Sequence, residues 1–400
     1  MLNGPFSPWP SFSEEETDAV SRVLLSNKVS YWTGQEGREF EREFARFAGS
    51  EYAIALSNGT TALDLALEEL GIGEGEGRGR DEVIVTSRTF LASASSIVNA
   101  GAVPVFADVD RDSQNITAAT VEEQLTANTR AIIAVHLAGW PCEMDNLMAL
   151  AEQHGLYVIE DCAQAHGATY KGRSVGSIGH VGCWSFCQDK IMTTGGEGGM
   201  IATNDEALWR KMWAYKDHGK SYEAVYEREH KPGFRWLHES FGTNWRLTEM
   251  QSAIGRIQLA RMPEWQATRQ ANARRLWQTA SECSGLRAPA QPEHIEHAAY
   301  KCYVFAEPEQ LAEGWSRDRI QQAMVERGVP CFSGSCSEVY REKAFEGTGY
   351  RPARPLPVAR ELGETSLMML CHPTLTEAEV DKSCDVLREV MGMATEGVSA

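Results

Sequence analysis

Between residues 83 and 159 short apolar runs alternate with helical patterns at nearly regular intervals, and few folds accept such a string. Val83 to Thr86, Val103 to Phe106, Ala131 to Val135 and Leu156 to Ile159 are short and continuously apolar, as buried strands are. Between them Leu91 to Ala100, Thr120 to Leu125 and Asp145 to Gln153 keep helical spacing, the last closing at Gly155. Strands that are apolar on both faces and joined by helices make a parallel sheet covered on both sides. Ligands of such sheets sit beyond the carboxyl ends of the strands. The chemistry is therefore expected at Ser87-Arg88-Thr89-Phe90, Asp108, His136 and Glu160-Asp161.

Ahead of this block, Ser13 with Glu16 reads as a capping box opening a helix through Leu24. Phe40, Phe44 and Phe47 keep helical spacing before Gly49, which suits a C-cap. Gly71 to Arg80 is a surface loop by composition. Beyond Gly198 a strand, Met200 to Thr203, is followed by helical segments to about residue 280, and a smaller α/β unit follows. It ends in a helix capped by Thr376 and Glu379, with Val380, Cys384, Leu387 and Met391 facing inward. The expected division is a large domain over 1–255 and a small domain, with its connecting helix, over 256–400.

Composition narrows the partners. The net charge of −18 repels phosphate backbones and anionic lipid, which disfavours nucleic acid and membrane surfaces. No apolar run approaches the roughly 20 residues of a bilayer span, and Met1 to Trp9 lacks the pattern of a secretory signal. The ten cysteines are scattered, and Cys183 and Cys187 are the nearest approach to metal spacing. The reading is a reduced, cytoplasmic chain without a metal site.

The most informative stretch is Cys183 to Ile201, where Lys190 follows a strand-like run, Val181 to Phe186, and precedes Gly195, Gly196, Gly198 and Gly199. A lysine beside glycines is ordinarily a solvated loop residue; its company changes the reading. Upstream, Asp161 ends a strand, and Ser57-Asn58-Gly59-Thr60-Thr61 opens an apolar helix. Each part has a task if the ligand is pyridoxal 5'-phosphate. The lysine condenses with the aldehyde, and a carboxylate pairs with the protonated ring nitrogen. A glycine-threonine turn at a helix N-terminus offers N–H groups and hydroxyls to a phosphate, and Phe90 can cover the ring face. Other nucleotide motifs fail: the glycines at 71–79 lie before a strand and never satisfy G-x-G-x-x-G, and Gly219-Lys220-Ser221 has Ala214 where a P-loop needs glycine.

SNGTTAL at 57–63, DEVIV at 81–85, TF at 89–90, GAVPVFADVD at 101–110, EDCAQAHGA at 160–168, SFCQDK at 185–190 and GGEGG at 195–199 together resemble the DegT/DnrJ/StrS-type aminotransferases. GTNWRLTEMQSAIG at 242–255 and LTEAEV at 375–380 extend the resemblance over nearly the whole chain. It implies the aspartate aminotransferase fold (fold type I), an α/β large domain with a mostly parallel sheet and a smaller C-terminal α/β domain. It implies Lys190 as the lysine that binds the cofactor and shuttles protons, and Asp161 as the partner of the ring nitrogen. Gln164 would meet the phenolic oxygen, Phe90 would stack on the ring, and Thr60, Thr61 and Ser185 would hold the phosphate. Asn244 would contact the phosphate of the other subunit, making a homodimer with shared sites.

The expected reaction is transfer of an amino group from an amino acid, L-glutamate by resemblance, to a nucleotide-linked keto sugar, in polysaccharide, lipopolysaccharide or glycoside synthesis. Two rivals stand beside it: a cyclitol or other non-nucleotide ketone as acceptor, and a regulatory protein that keeps the cofactor pocket without turnover. Lys190 argues against relatives that carry histidine there and dehydrate. Asp189, His136, Glu197, Asp217-His218 and Arg246 are read first as structural or solvated groups, and Trp32 and Trp245 as the aromatics to test for a sugar platform.

Overall fold

The computed structural model describes residues 5–73, 75 and 79–396, so part of the 71–80 loop lies outside the described residues. Two helices, α1 (Glu14–Leu25) and α2 (Glu36–Ala48), precede β1 (Tyr52–Leu56) and α3 (Gly59–Glu69). There follow β2 (Glu82–Thr86), α4 (Ala92–Asn99), β3 (Val103–Ala107), α5 (Ala118–Glu122), β4 (Thr129–Val135), α6 (Met144–His154) and β5 (Tyr157–Asp161). A small hairpin, β6 (Thr169–Tyr170) and β7 (Arg173–Ser174), leads to β8 (Val181–Ser185), β9 (Gly199–Thr203) and α7 (Glu206–Tyr215). The long α8 (Glu249–Ser281) then enters the C-terminal part: β10 (Leu286–Arg287), β11 (Ile295–Glu296), β12 (Cys302–Ala306), α9 (Arg317–Glu326), β13 (Cys331–Phe332), α10 (Pro357–Thr365), β14 (Ser366–Met369) and α11 (Glu377–Ala394).

The central sheet has seven strands in the order β1-β9-β8-β5-β4-β2-β3. The run from β3 to β8 is parallel, whereas β9 pairs antiparallel with both β8 and β1. The alternation in the sequence finds the parallel part; it does not show that β9 turns back, because strand direction is set by the connection and not by the strand's own residues. A second, antiparallel sheet runs β10-β12-β14-β13.

The end signals are found where the residues place them. Ser13 and Glu16 close a capping box on α1, and Gly49 and Gly155 cap α2 and α6 at φ 65° and 64°. The helix expected over Thr120 to Leu125 is shorter and earlier, because Thr117 caps α5 through the Thr120 amide. Helix α8 joins the layers: Leu259 and Met262 pack with the central sheet's core, and Ala273, Leu276 and Ala280 with that of the small sheet. The 255/256 division thus falls inside this helix. Gly255 permits the contact with α2, since a Cβ there would lie 2.6 Å from Phe40 Cζ. Among the described residues no helix is long and apolar enough to cross a membrane.

Candidate active site

The parallel strands end on one side, and the residues expected to carry chemistry stand there. Asp161 closes β5 and is 6% exposed. Its carboxylate accepts from Ser93 Oγ at 2.7 Å and from the Ala163 amide at 3.1 Å. Burial holds its acid form above the usual range, against these hydrogen bonds and the nearby charge of Lys190. A buried carboxylate so placed gains most from a cation brought to it. Ser93 is itself fixed by Thr89, whose Oγ1 lies 2.8 Å away. Sequence reasoning missed Ser93 because serine on a helix carries no signal of its own; only the turn of α4 brings it to Asp161.

Lys190 lies in the turn after β8 with its side chain 17% exposed. Its backbone is pinned from both sides: the amide donates to Cys187 O, and the carbonyl accepts from Trp9 Nε1 at 2.8 Å. Its Nζ stands 3.6 Å from Asp189 Oδ1, and Tyr300 donates to Asp189 Oδ2 at 2.5 Å. Asp189 is therefore part of the lysine's surroundings and not a free loop carboxylate. Burial would raise it, but Lys190 and the Tyr300 hydroxyl more than offset that and hold it below the usual range. Gln164 is buried and its Oε1 accepts from the Ala138 amide at 2.8 Å, while Phe90 is 71% exposed at the rim beyond β2.

Asn58 caps α3, its side chain accepting from the Thr61 amide at 2.9 Å. The Thr61 hydroxyl turns back to Asn58 O at 2.7 Å, so it serves the cap as it stands. The Gly59 turn presses on Ser185: a Cβ on Gly59 would lie 2.7 Å from the Ser185 Cβ. The helix start and the Ser185 hydroxyl thus share one cradle, which a side chain at 59 would fill. Asn244 stands apart, exposed on the strap that pairs with Asp217, while its neighbour Arg246 pairs with Leu56.

Most of the other candidates have partners within the fold. His136 is fully buried between Glu160 and the Cys142 amide, which its Nδ1 accepts. His136, Glu160 and Cys162 have donor atoms within 4.8 Å of one another, yet the Glu160 oxygens already accept from the amides of Gly176, Ile178 and Gly179. Asp217 bonds Lys220 and Arg246 and makes no pair with His218. Trp32 carries the Lys220 ammonium 4.2 Å from its ring, and Trp245 packs on Tyr215.

These residues fit pyridoxal 5'-phosphate: an amine, a buried carboxylate lacking an ion pair among the described residues, and a cradle at a helix start, all at the carboxyl end of one sheet. The fold and this arrangement define a transaminase. Residues 10–388 match the model of the DegT/DnrJ/EryC1/StrS aminotransferase family, and the chain belongs to that family. It is 36% identical to the GDP-perosamine synthase of Caulobacter vibrioides, over 96% of this chain and 97% of that one. It is also 36% identical to the L-glutamine:2-deoxy-scyllo-inosose aminotransferase of Streptoalloteichus tenebrarius, over 82% and 77% respectively. The X-ray structure of the aminotransferase from Psychrobacter cryohalolentis superposes with a TM-score of 0.94 at 63% identity, covering 97% of this chain and 99% of that one. Streptomyces venezuelae DesV, solved with a ketimine intermediate, superposes with a TM-score of 0.83 at 31% identity, covering 97% and 99%. The fold is that of the fold type I aminotransferases.

Proposed function

We propose that this aminotransferase uses pyridoxal 5'-phosphate to move an amino group from L-glutamate to a nucleotide-linked keto sugar, in the cytoplasm, for polysaccharide, lipopolysaccharide or glycoside synthesis. The observation that carries the cofactor assignment is a buried Asp161, near the charge of Lys190 but without an ion pair among the described residues, whose hydrogen bonds come from a hydroxyl and an amide. When bound, the cofactor supplies an aldehyde for the donor's amine and a ring that spreads the electrons of the broken C–H bond.

The chain's own residues divide the remaining work. Asp161, oriented by Ser93 and the Ala163 amide, holds a proton on the ring nitrogen. Lys190 would hold the aldehyde carbon, and its Nζ would take and return the proton of the donor's reacting carbon. Asp189, held by Tyr300, keeps that amine in place between the two transfers. Gln164 would address the phenolic oxygen, Phe90 would stack on the ring, and Thr60, Thr61 and Ser185 would hold the phosphate at the start of α3. Asn244 of the partner subunit completes that phosphate site in a homodimer. The strap that bears this residue exposes Phe234, Trp236 and Phe241 at 78%, 81% and 99%, and such an apolar surface calls for a cover.

The keto-sugar reading draws support from the perosamine synthase relative; the scyllo-inosose relative favours a cyclitol acceptor as the second reading. A panel of nucleotide-linked keto sugars and cyclitol ketones, each read by amino-product formation, separates them. Lys190→Ala is expected to lower turnover at least about 1,000-fold, since it removes both the anchor and the proton carrier. Full turnover by that variant would end this assignment.

A further inference from the structure

Three cations stand around Tyr300 and the Lys190 turn, with the carboxylate of Asp189 among them. The ammonium groups of Lys190 and Lys301 stand 5.4 and 5.0 Å from the centroid of the same ring, that of Tyr300. They are therefore no more than about 10 Å apart, the reach of a small amino acid between two groups. Arg269 is 1% exposed, its Nε and Nη2 have no hydrogen-bond partner, and its guanidinium lies 4.7 Å over Trp9. Arg269, Lys190 and Asp189 all act electrostatically on Lys301.

The carboxylate is already committed. Asp189 gives one oxygen to the Tyr300 hydroxyl and faces Lys190 with the other. Among the described residues Lys301 makes no hydrogen bond or ion pair; its contact is the Tyr300 ring. Burial holds its ammonium below the ordinary lysine range, with Arg269 adding to the effect. A chain with a net charge of −18 thus keeps Lys301, which shares the Tyr300 ring with Lys190, and the nearby Arg269 without a counter-ion among the described residues. Leaving cations buried without a counter-ion is costly, so an arrangement of this kind is complete when an anion enters it.

We propose that Lys301 receives a carboxylate of the amino-acid donor, backed by the field of Arg269, and so places the donor's amine at the carbon that Lys190 would hold and from which the donor would displace it. This rests on the reading of Lys190 given above. Two unbalanced charges match an amino dicarboxylate, which makes L-glutamate the donor class the site fits. Sequence reading passes over Lys301 because a lysine next to a tyrosine reads as surface; its place shows only once Tyr300, just ahead of β12, meets Asp189 and Lys190.

The test uses the cofactor-loaded protein and Lys301→Met, which keeps the side chain's length and removes its charge. The KM for L-glutamate should rise about 10-fold or more, with kcat at saturating donor within about threefold of the parent, and Lys301→Arg should recover part of the loss. A rise for L-glutamine as well assigns the α-carboxylate to Lys301; a rise for L-glutamate alone assigns the side-chain carboxylate. An unchanged donor KM, or a rise confined to the keto acceptor, overturns the proposal. A readout independent of turnover and of any variant is acylation of the cofactor-free protein by an N-hydroxysuccinimide ester, mapped by mass spectrometry. Glutarate should protect Lys301, and equal labelling with and without it contradicts the proposal. If the loaded parent protein ignores every amino donor while Lys301 is still protected by glutarate, the reading of Lys190 fails and the anion site stands alone.

Discussion

Glu160 and Asp161 are consecutive carboxylates on one strand, and the alternation of β5 sends them to opposite faces of the sheet. Glu160, fully buried, accepts from three backbone amides and lies 2.9 Å from His136 Nε2. Burial works to raise it, and these hydrogen bonds outweigh burial, so its acid form lies below the usual range. Asp161 has two donors, and burial prevails. One carboxylate is saturated by the fold; the other is held in reserve for a cation the fold does not supply. On the proposed function the same chemical group is structural on one face and functional on the other, and the count of donors tells them apart.

The largest test of this contrast is Asp161→Asn. It should lower turnover of the loaded enzyme about 100- to 1,000-fold, the range for removing one preorganised electrostatic partner, and leave the urea midpoint nearly unmoved. A large loss of stability with normal turnover in the folded fraction would reverse the assignment of roles. Glu160→Gln should do the opposite. Its new NH2 group faces amides that need an acceptor, and stability should fall by about 3 kcal/mol in urea titration, as when a buried pair is broken. A variant as stable as the parent would show that the amides have other partners.

Asp64 extends the series to a carboxylate with still fewer donors: one oxygen has no partner, and burial pushes it up to about 6 against a hydrogen bond from Asn99. Its folded-state value lies above the ordinary 3.8, so the folded chain holds this proton more tightly, and the stability it gives is lost as pH rises from about 4 to about 6. Asp64→Asn should therefore be more stable than the parent by about 1 kcal/mol at pH 7, allowing for its partial exposure, and equal to it near pH 4. Urea titrations at the two pH values decide it; a gain of the same size at both would remove the titration from the explanation.

How far the site was legible follows the same physics. Strand ends can be read from apolar periodicity, so Asp161 and the turn bearing Lys190 stand out in one dimension. The Asn58 cap and its glycine are legible for the same reason: their spacing is local. Asp189 was not, because its partner Tyr300 lies 111 residues away. Ser93 and Trp9 were missed likewise, each acquiring meaning through a contact between elements distant in the chain; Lys301 acquires its meaning because the ring of its neighbour Tyr300 also meets Lys190. The antiparallel course of β9 belongs to this class, being fixed by the path of the chain around the Lys190 turn.

The most direct test of the central claim is the absorbance spectrum of the purified protein after incubation with pyridoxal 5'-phosphate, recorded before and after addition of L-glutamate. A visible band is expected that is absent from Lys190→Ala and that bleaches into the near ultraviolet with the donor. A protein that stays colourless, or a band that persists unchanged in Lys190→Ala, would contradict it.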